Sequence, residues 1–236
     1  MARTRKRQPR SPVRVSRRAF LTAAGSGGAA TLMLSVSPWV QGRTFNPELI
    51  RPPGSLAEED FLDRCIRCGA CMKVCPTNAI HPTTRQAGLA GLWSPMLVFS
   101  VGYCEYNCTL CGQVCPTGAI AELTVEAKQT VRIGTAYVDR NRCLPYVSNR
   151  ECIVCEEHCP TPVKAIWFRE VTVTDREGNP KVLKQPQVDP ELCIGCGICE
   201  EKCPLNDPAA IRVTSAGEDR NPGNQFLFEA GSSYGE

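Results

Sequence analysis

The residues of this chain best suited to chemistry are its cysteines, and they recur in a pattern. Cys65, Cys68, Cys71 and Cys75 follow C-x2-C-x2-C-x3-C before Pro76, and Cys193, Cys196, Cys199 and Cys203 repeat it without deviation before Pro204. Cys104, Cys108, Cys111 and Cys115 widen the first gap to three residues, and Cys143, Cys152, Cys155 and Cys159 widen it to eight, each again closing on a proline. All sixteen cysteines of the 236-residue chain are thereby used, so no thiol is left for a nucleophile or a structural disulfide. Three thiolates two residues apart on a tight loop suit three corners of an iron-sulfur cubane. The fourth, turned outward beside a proline that lacks an N–H and fixes φ, suits a corner of a neighbouring cluster. A zinc ribbon needs only two C-x2-C pairs and leaves the recurring Cys-Pro without a purpose. The expectation is four 4Fe-4S clusters with all sixteen cysteines as iron ligands, and no catalytic residue.

Such a chain depends on metal for its organisation. With 6% aromatic residues, 19 glycines and 19 prolines, it has little from which to build an apolar core, and small folds short of core rely on metals or disulfides. Short β-type segments precede the thiols, as in Ala136-Tyr137-Val138-Asp139 and Gln187-Val188-Asp189, and an Ala-Ile follows each proline: Ala79-Ile80, Ala119-Ile120, Ala165-Ile166 and Ala210-Ile211. Strand, cluster loop, helical turn and second strand form a half-unit, and two halves form a domain. The predicted fold is α+β: two bacterial-type two-cluster ferredoxin domains, with short strands and helical turns wrapped around the clusters and the isoleucines covering them. Gly69, Gly112, Gly195 and Gly197 are expected to let backbone N–H groups approach the clusters.

Two pairings of the motifs are open. The regular spacing shared by 65–75 and 193–203, and the widened gaps of 104–115 and 143–159, favour a nested arrangement of outer with outer and inner with inner, in which Cys75 reaches the cluster of Cys193, Cys196 and Cys199. Tandem pairing, first with second and third with fourth, needs shorter connections and follows the tendency of sequential elements to lie side by side.

Charge divides the chain. The formal net charge of +3 averages a leader that holds eight basic residues and no acid before residue 43 with a body of nineteen basic and twenty-four acidic residues, net −5. An acidic body does not suit a phosphate backbone, so no nucleic-acid partner is expected. Ser16-Arg17-Arg18-Ala19-Phe20-Leu21-Thr22, followed by an uncharged stretch rich in Ala and Gly to Val36, has the layout of a twin-arginine (Tat) signal. Residues 1–42 are read as this signal, with cleavage after Gly42 or retention as an anchor. Export of a folded chain also protects thiols that would be trapped as disulfides in an oxidising compartment.

Other features carry less. His81 and His158 are too few for a haem relay, and the pairs Glu156-Glu157 and Glu200-Glu201 are read as a solvated or docking face rather than catalytic carboxylates. Residues 88–103, apolar without periodicity and containing Trp93, Pro95, Met96 and Phe99, are expected to pack over a cluster or to face a membrane partner. Residues 214–236 read as a C-terminal tail that Phe226-Leu227-Phe228 could dock.

Over residues 49–213 and the leader, the chain resembles the ferredoxin-type MauM/NapG proteins. The quartets carry the resemblance, together with Pro52-Pro53-Gly54 before Glu58-Glu59-Asp60-Phe61, Gly91-Leu92-Trp93-Ser94-Pro95 and Gly102-Tyr103-Cys104-Glu105. The resemblance implies electron transport in the periplasm between a membrane quinol-oxidising iron-sulfur protein and a periplasmic redox enzyme or cytochrome, with any membrane association made through the partner or the uncleaved leader. The alternative is the iron-sulfur subunit of a molybdenum-containing reductase. Replacing Arg17 and Arg18 by Lys is expected to leave the clusters intact and strand the protein in the cytoplasm; cell fractionation showing undiminished periplasmic delivery would contradict this reading of the leader.

Overall fold

The protein was analysed as a computed structural model, which describes residues 46–174, 178–205 and 207–224. The leader, its cleavage site and Phe226-Leu227-Phe228 lie outside the described residues.

Six strands form three antiparallel pairs: β1 (Ile80–Pro82) with β2 (Pro95–Leu97), β3 (Thr135–Val138) with β6 (Ile211–Thr214), and β4 (Ile166–Thr174) with β5 (Pro180–Val188). An isolated bridge joins Ser55 to Ile120. A single rule generates all four contacts. The strand leaving the first motif pairs with the strand leading into the second, and the strand leading into the first pairs with the one leaving the second; the third and fourth motifs repeat this. Each recurring alanine supplies the junction. The carbonyls of Ala79, Ala119, Ala165 and Ala210 accept backbone N–H bonds of 2.7 to 3.1 Å from Val98, Leu56, Asp189 and Asp139. All four alanines and the isoleucines that follow them are buried, because one methyl is all that fits where two chains and a cluster loop meet.

The motifs therefore pair in tandem, which corrects the nested arrangement. Hairpins between exit and lead-in strands hold sequential motifs together, and β4–β5 is a nine-residue version of the same hairpin. Matched ligand spacing carries no information about which strands exchange backbone bonds.

Short helices fill the loops. Ala70–Val74, Leu110–Gln113, Val154–Glu157 and Ile198–Glu201 are single turns, each ending near a Cys-Pro because proline cannot continue the ladder. Glu58–Arg64 carries Glu58, Glu59 and Asp60 in its first turn and Arg64 in its last, which complements the helix dipole. No described helix is long and apolar enough to cross a membrane.

The two ferredoxin units share one core, which runs from Ile50 and Phe61 through the cysteines to Val213. Residues 46–50 stitch the units together: the Ser215 N–H bonds the Pro47 carbonyl at 2.9 Å, and the Leu97 N–H bonds the Ile50 carbonyl at 2.8 Å. The expected tail is corrected over its first part, since Ser215, Ala216, Glu218 and Asn224 are buried. Residues 88–103 divide: Met96, Leu97 and Phe99 are buried, whereas Leu89 and Trp93 are exposed.

Arg51 closes the first unit. It is fully buried, donates to Glu58, to Ser94 Oγ at 2.8 Å and to the Pro95 carbonyl at 2.7 Å, and stacks on Phe61. Arg220, from the far end of the described chain, reaches Glu58 at 3.0 Å and Glu218 at 2.9 Å. Burial pushes the Glu58 carboxyl up, but Arg51 and Arg220 outweigh it and hold the group below its ordinary value. That contribution to stability is present above the unfolded carboxylate pKa and fades as pH falls through the lowered folded one. Arg51→Met leaves Glu58 to Arg220 alone and takes the buried donor from Ser94 and the Pro95 carbonyl, and is expected to cost about 1 to 3 kcal/mol, read at neutral pH as a drop in the anaerobic melting temperature on the order of 5 °C; a melting temperature unchanged from the parent would show the network to be dispensable.

Candidate iron-sulfur cluster sites

The sixteen thiols gather around four cavities of about 340 to 370 Å3. Cys65, Cys68 and Cys71 share theirs with Cys115; Cys104, Cys108 and Cys111 with Cys75. In the second unit Cys143, Cys152 and Cys155 join Cys203, while Cys193, Cys196 and Cys199 join Cys159. Every sequence-predicted site residue is thus brought to a quartet, and in each the fourth cysteine comes from the partner motif. The nested exchange of Cys75 with the motif at 193–203 is replaced by an exchange between Cys75 and Cys115.

The quartets suit a multi-atom inorganic core. Among the described residues no group of His, Cys, Asp or Glu is drawn together as the ligands of one ion would be. Burial pushes the thiols of Cys71 and Cys104 up to about 11 and those of Cys111, Cys143, Cys155 and Cys196 up to about 12, with neighbouring thiolates adding to the push. Four thiolates so placed need positive charge among them, which iron supplies.

The outward cysteines have a different environment. Burial pushes Cys75 and Cys115 up, but hydrogen bonds to sulfur outweigh it and bring both below the ordinary thiol value. The donors follow directly in sequence. The Ile120 N–H lies 3.4 Å from Cys115 Sγ and the Ala210 N–H 3.4 Å from Cys203 Sγ. Threonine hydroxyls sit two residues on, with Thr77 3.5 Å from Cys75 Sγ, Thr117 3.8 Å from Cys115 Sγ and Thr161 3.2 Å from Cys159 Sγ. The fourth motif has Leu205 at the matching place and lacks that hydroxyl. Cys-Pro-Thr against Cys-Pro-Leu was visible in the sequence as a difference between copies.

The glycine expectation is corrected in part. Gly197 has φ +78° and an added Cβ would stand 2.1 Å from the Phe99 ring, while a Cβ on Gly195 would stand 2.5 Å from the Gly134 carbonyl. Gly195 thus admits the segment entering β3 of its own unit, whereas Gly197 admits Phe99 across the seam between the units, where the Cys104 N–H also bonds the Cys196 carbonyl at 2.8 Å. The glutamate pairs likewise differ. Glu200 accepts the Val213 N–H at 2.7 Å and burial pushes its carboxyl up to about 6, so it anchors β6 rather than facing solvent; Glu157 is exposed. The exposed His158 ring Nδ1 lies 2.9 Å from the Val154 carbonyl.

The 4Fe-4S binding domain family matches residues 60–81 and 186–206, which contain the two regular motifs. Among curated proteins, the methylamine utilization ferredoxin-type protein MauM of Methylorubrum extorquens is 32% identical over 105 residues, 43% of this chain and 46% of that protein. The ferredoxin-type protein NapG of Escherichia coli K12 is 32% identical over 145 residues, 58% of this chain and 62% of that protein. The chain is thus similar to the ferredoxin-type proteins MauM and NapG. The match spans 46% and 62% of the length of these two relatives, and no solved structure matches it. The two matched 4Fe-4S binding segments hold the first and the fourth motif, one in each tandem pair.

Iron content tests the exchange. Substituting Cys68 and Cys115 together by Ala strikes one quartet and is expected to leave about twelve iron per chain, whereas Cys108 and Cys115 together strike two and leave about eight. Equal loss from both pairs would contradict the assignment.

Proposed function

We propose that the protein is a periplasmic electron carrier in which four 4Fe-4S clusters pass single electrons between a membrane quinol-oxidising iron-sulfur protein and a periplasmic oxidoreductase, with no substrate chemistry of its own. The observation that carries this reading is adjacency. Cys71 of the first quartet and Cys111 of the second lie within each other's electrostatic reach, as do Cys104 and Cys196 across the seam, and Cys155 and Cys199 in the second unit. The quartets follow one another in a file: that of Cys65, then Cys104, then Cys193, then Cys143.

The ends of the file support the same reading. Ile66 and Cys68 are exposed at one end, and Val147 and Ile153 at the other, so each terminal quartet has an apolar rim that a redox partner can meet. Of the two middle quartets, that of Cys193, Cys196 and Cys199 is held in the interior with all three of these cysteines buried, where shielding from water limits side reactions. Complete cysteine sets leave no iron without a protein ligand to bind a substrate, which favours a carrier over the subunit of an enzyme that reacts at a cluster.

Anaerobically purified protein is expected to contain about sixteen iron and sixteen acid-labile sulfide per chain and to accept about four electrons in a reductive titration. A preparation dominated by zinc, or iron near half that content, would sink the four-cluster reading.

A further inference from the structure

The short helix Val125–Thr130 lies between the two ferredoxin units and binds no quartet through its backbone. Thr124 caps it, its hydroxyl accepting the Ala127 N–H at 3.2 Å. Its one buried residue is Lys128, whose side chain turns inward with 2% of the residue exposed. The ammonium donates to the carbonyl of Glu105 at 2.6 Å and to that of Tyr106 at 3.0 Å, and lies 5.7 Å from the Tyr106 ring centroid. Glu105 and Tyr106 directly follow Cys104, and the ammonium's charge draws the Cys104 thiol down against the burial that raises it.

No carboxylate among the described residues pairs with Lys128, although other basic side chains find acidic partners. A buried ammonium without a counter-ion is strongly disfavoured unless negative charge stands nearby. Two carbonyl dipoles supply part of it. The remainder is at hand in the thiolates of the quartet of Cys75, Cys104, Cys108 and Cys111, and the charge they carry rises by one when a bound cluster is reduced. Lys164 makes a contrast: it also donates to loop carbonyls, those of Glu156, Glu157 and Cys159, but it is exposed, where solvent screens its charge.

We infer that Lys128 is a fixed counter-charge that raises the reduction potential of the cluster held by Cys75, Cys104, Cys108 and Cys111, which makes the quartet beside the domain seam a preferred resting place for the electron. The inference rests on the four-cluster reading. The step it biases is a one-electron transfer: the neighbouring cluster is oxidised, this one is reduced, and no proton moves and no bond forms or breaks. Lys128 touches two loop carbonyls and acts on a ligand through its charge, so it is a positioning and electrostatic residue rather than a catalytic one.

The test is an anaerobic redox titration of the full protein followed by electron paramagnetic resonance, with iron content and the Cys108→Ala protein establishing beforehand which signal belongs to this quartet. Failure of Cys108→Ala to remove one signal and about four iron would sink the cluster assignment independently of Lys128. Lys128→Gln removes the charge and keeps donors for the two carbonyls. It is expected to weaken reduction of this cluster about tenfold, a negative shift of about 59 mV for one electron, with the other three potentials unmoved. Lys128→Arg, which keeps the charge, is expected to retain the parental potential even if Lys128→Gln assembles poorly. An unmoved potential in Lys128→Gln, a parallel shift of all four clusters, or loss of the potential in Lys128→Arg with its iron content intact overturns the inference.

Discussion

Thiolates repel one another, and burial in an apolar cavity removes the water that would screen them. Quartets of buried cysteines whose thiols are pushed far above their ordinary value are therefore unfavourable assemblies until iron and sulfide stand between them. That constraint explains why the chain has so little regular structure. Helices of one turn and strands of three or four residues contribute little cooperativity alone, and only β4–β5 is longer. The energetic burden falls on metal–thiolate bonds, and folding and cluster binding become one event.

Around the clusters the protein contributes what the inorganic core lacks. Backbone N–H groups and hydroxyls aim at the sulfurs of the outward cysteines, which spreads their charge and adjusts potential. The donors come from the Cys-Pro-Thr turn and the Ala-Ile that follows it, so one short segment ligates, tunes and pairs its strand. Where Leu205 replaces the threonine, the quartet of Cys143, Cys152, Cys155 and Cys203 has no hydroxyl donor at that place. Differences between copies of the repeat are thus differences between sites along one file.

Much of the site was legible in the sequence, because ligand spacing reports cluster chemistry directly. The grouping of all sixteen cysteines into motifs, the α+β half-unit and the buried Ala-Ile pairs follow from local pattern. The pairing of motifs does not. It is decided by which lead-in strand meets which exit strand, a long-range matter of backbone bonds such as Leu56 to Ala119 and Asp139 to Ala210, about which cysteine gaps are silent. Arg51 was equally hidden: it reads as one more charge in a charged region, and only the fold brings Glu58, Ser94 and Pro95 around it. Ser215 to Asn224 has the composition of a tail but docks because Asn224 bonds the Ser215 carbonyl at 2.7 Å and Arg220 reaches back to Glu58. Composition speaks to propensity, and the contact of Arg220 with Glu58 spans 162 residues of chain.

Tandem pairing also settles how the two units meet. In each unit the two quartets are coupled through a buried cysteine pair, Cys71 with Cys111 and Cys155 with Cys199, which leaves one face of each unit free to meet the other. The faces that do meet carry Cys104 and Cys196, joined through backbone rather than side chains, and Gly197 lacks the side chain that would press on Phe99 of the other unit. Electron tunnelling weakens steeply with separation, so close backbone approach at this seam matters more than contact area. The seam is also the place where the two units could shear. Residues 46–50 and the docked segment 215–224, tied by Arg220 to the first unit and by the Asp219 side chain to the Arg132 N–H at 2.8 Å, clamp it from outside.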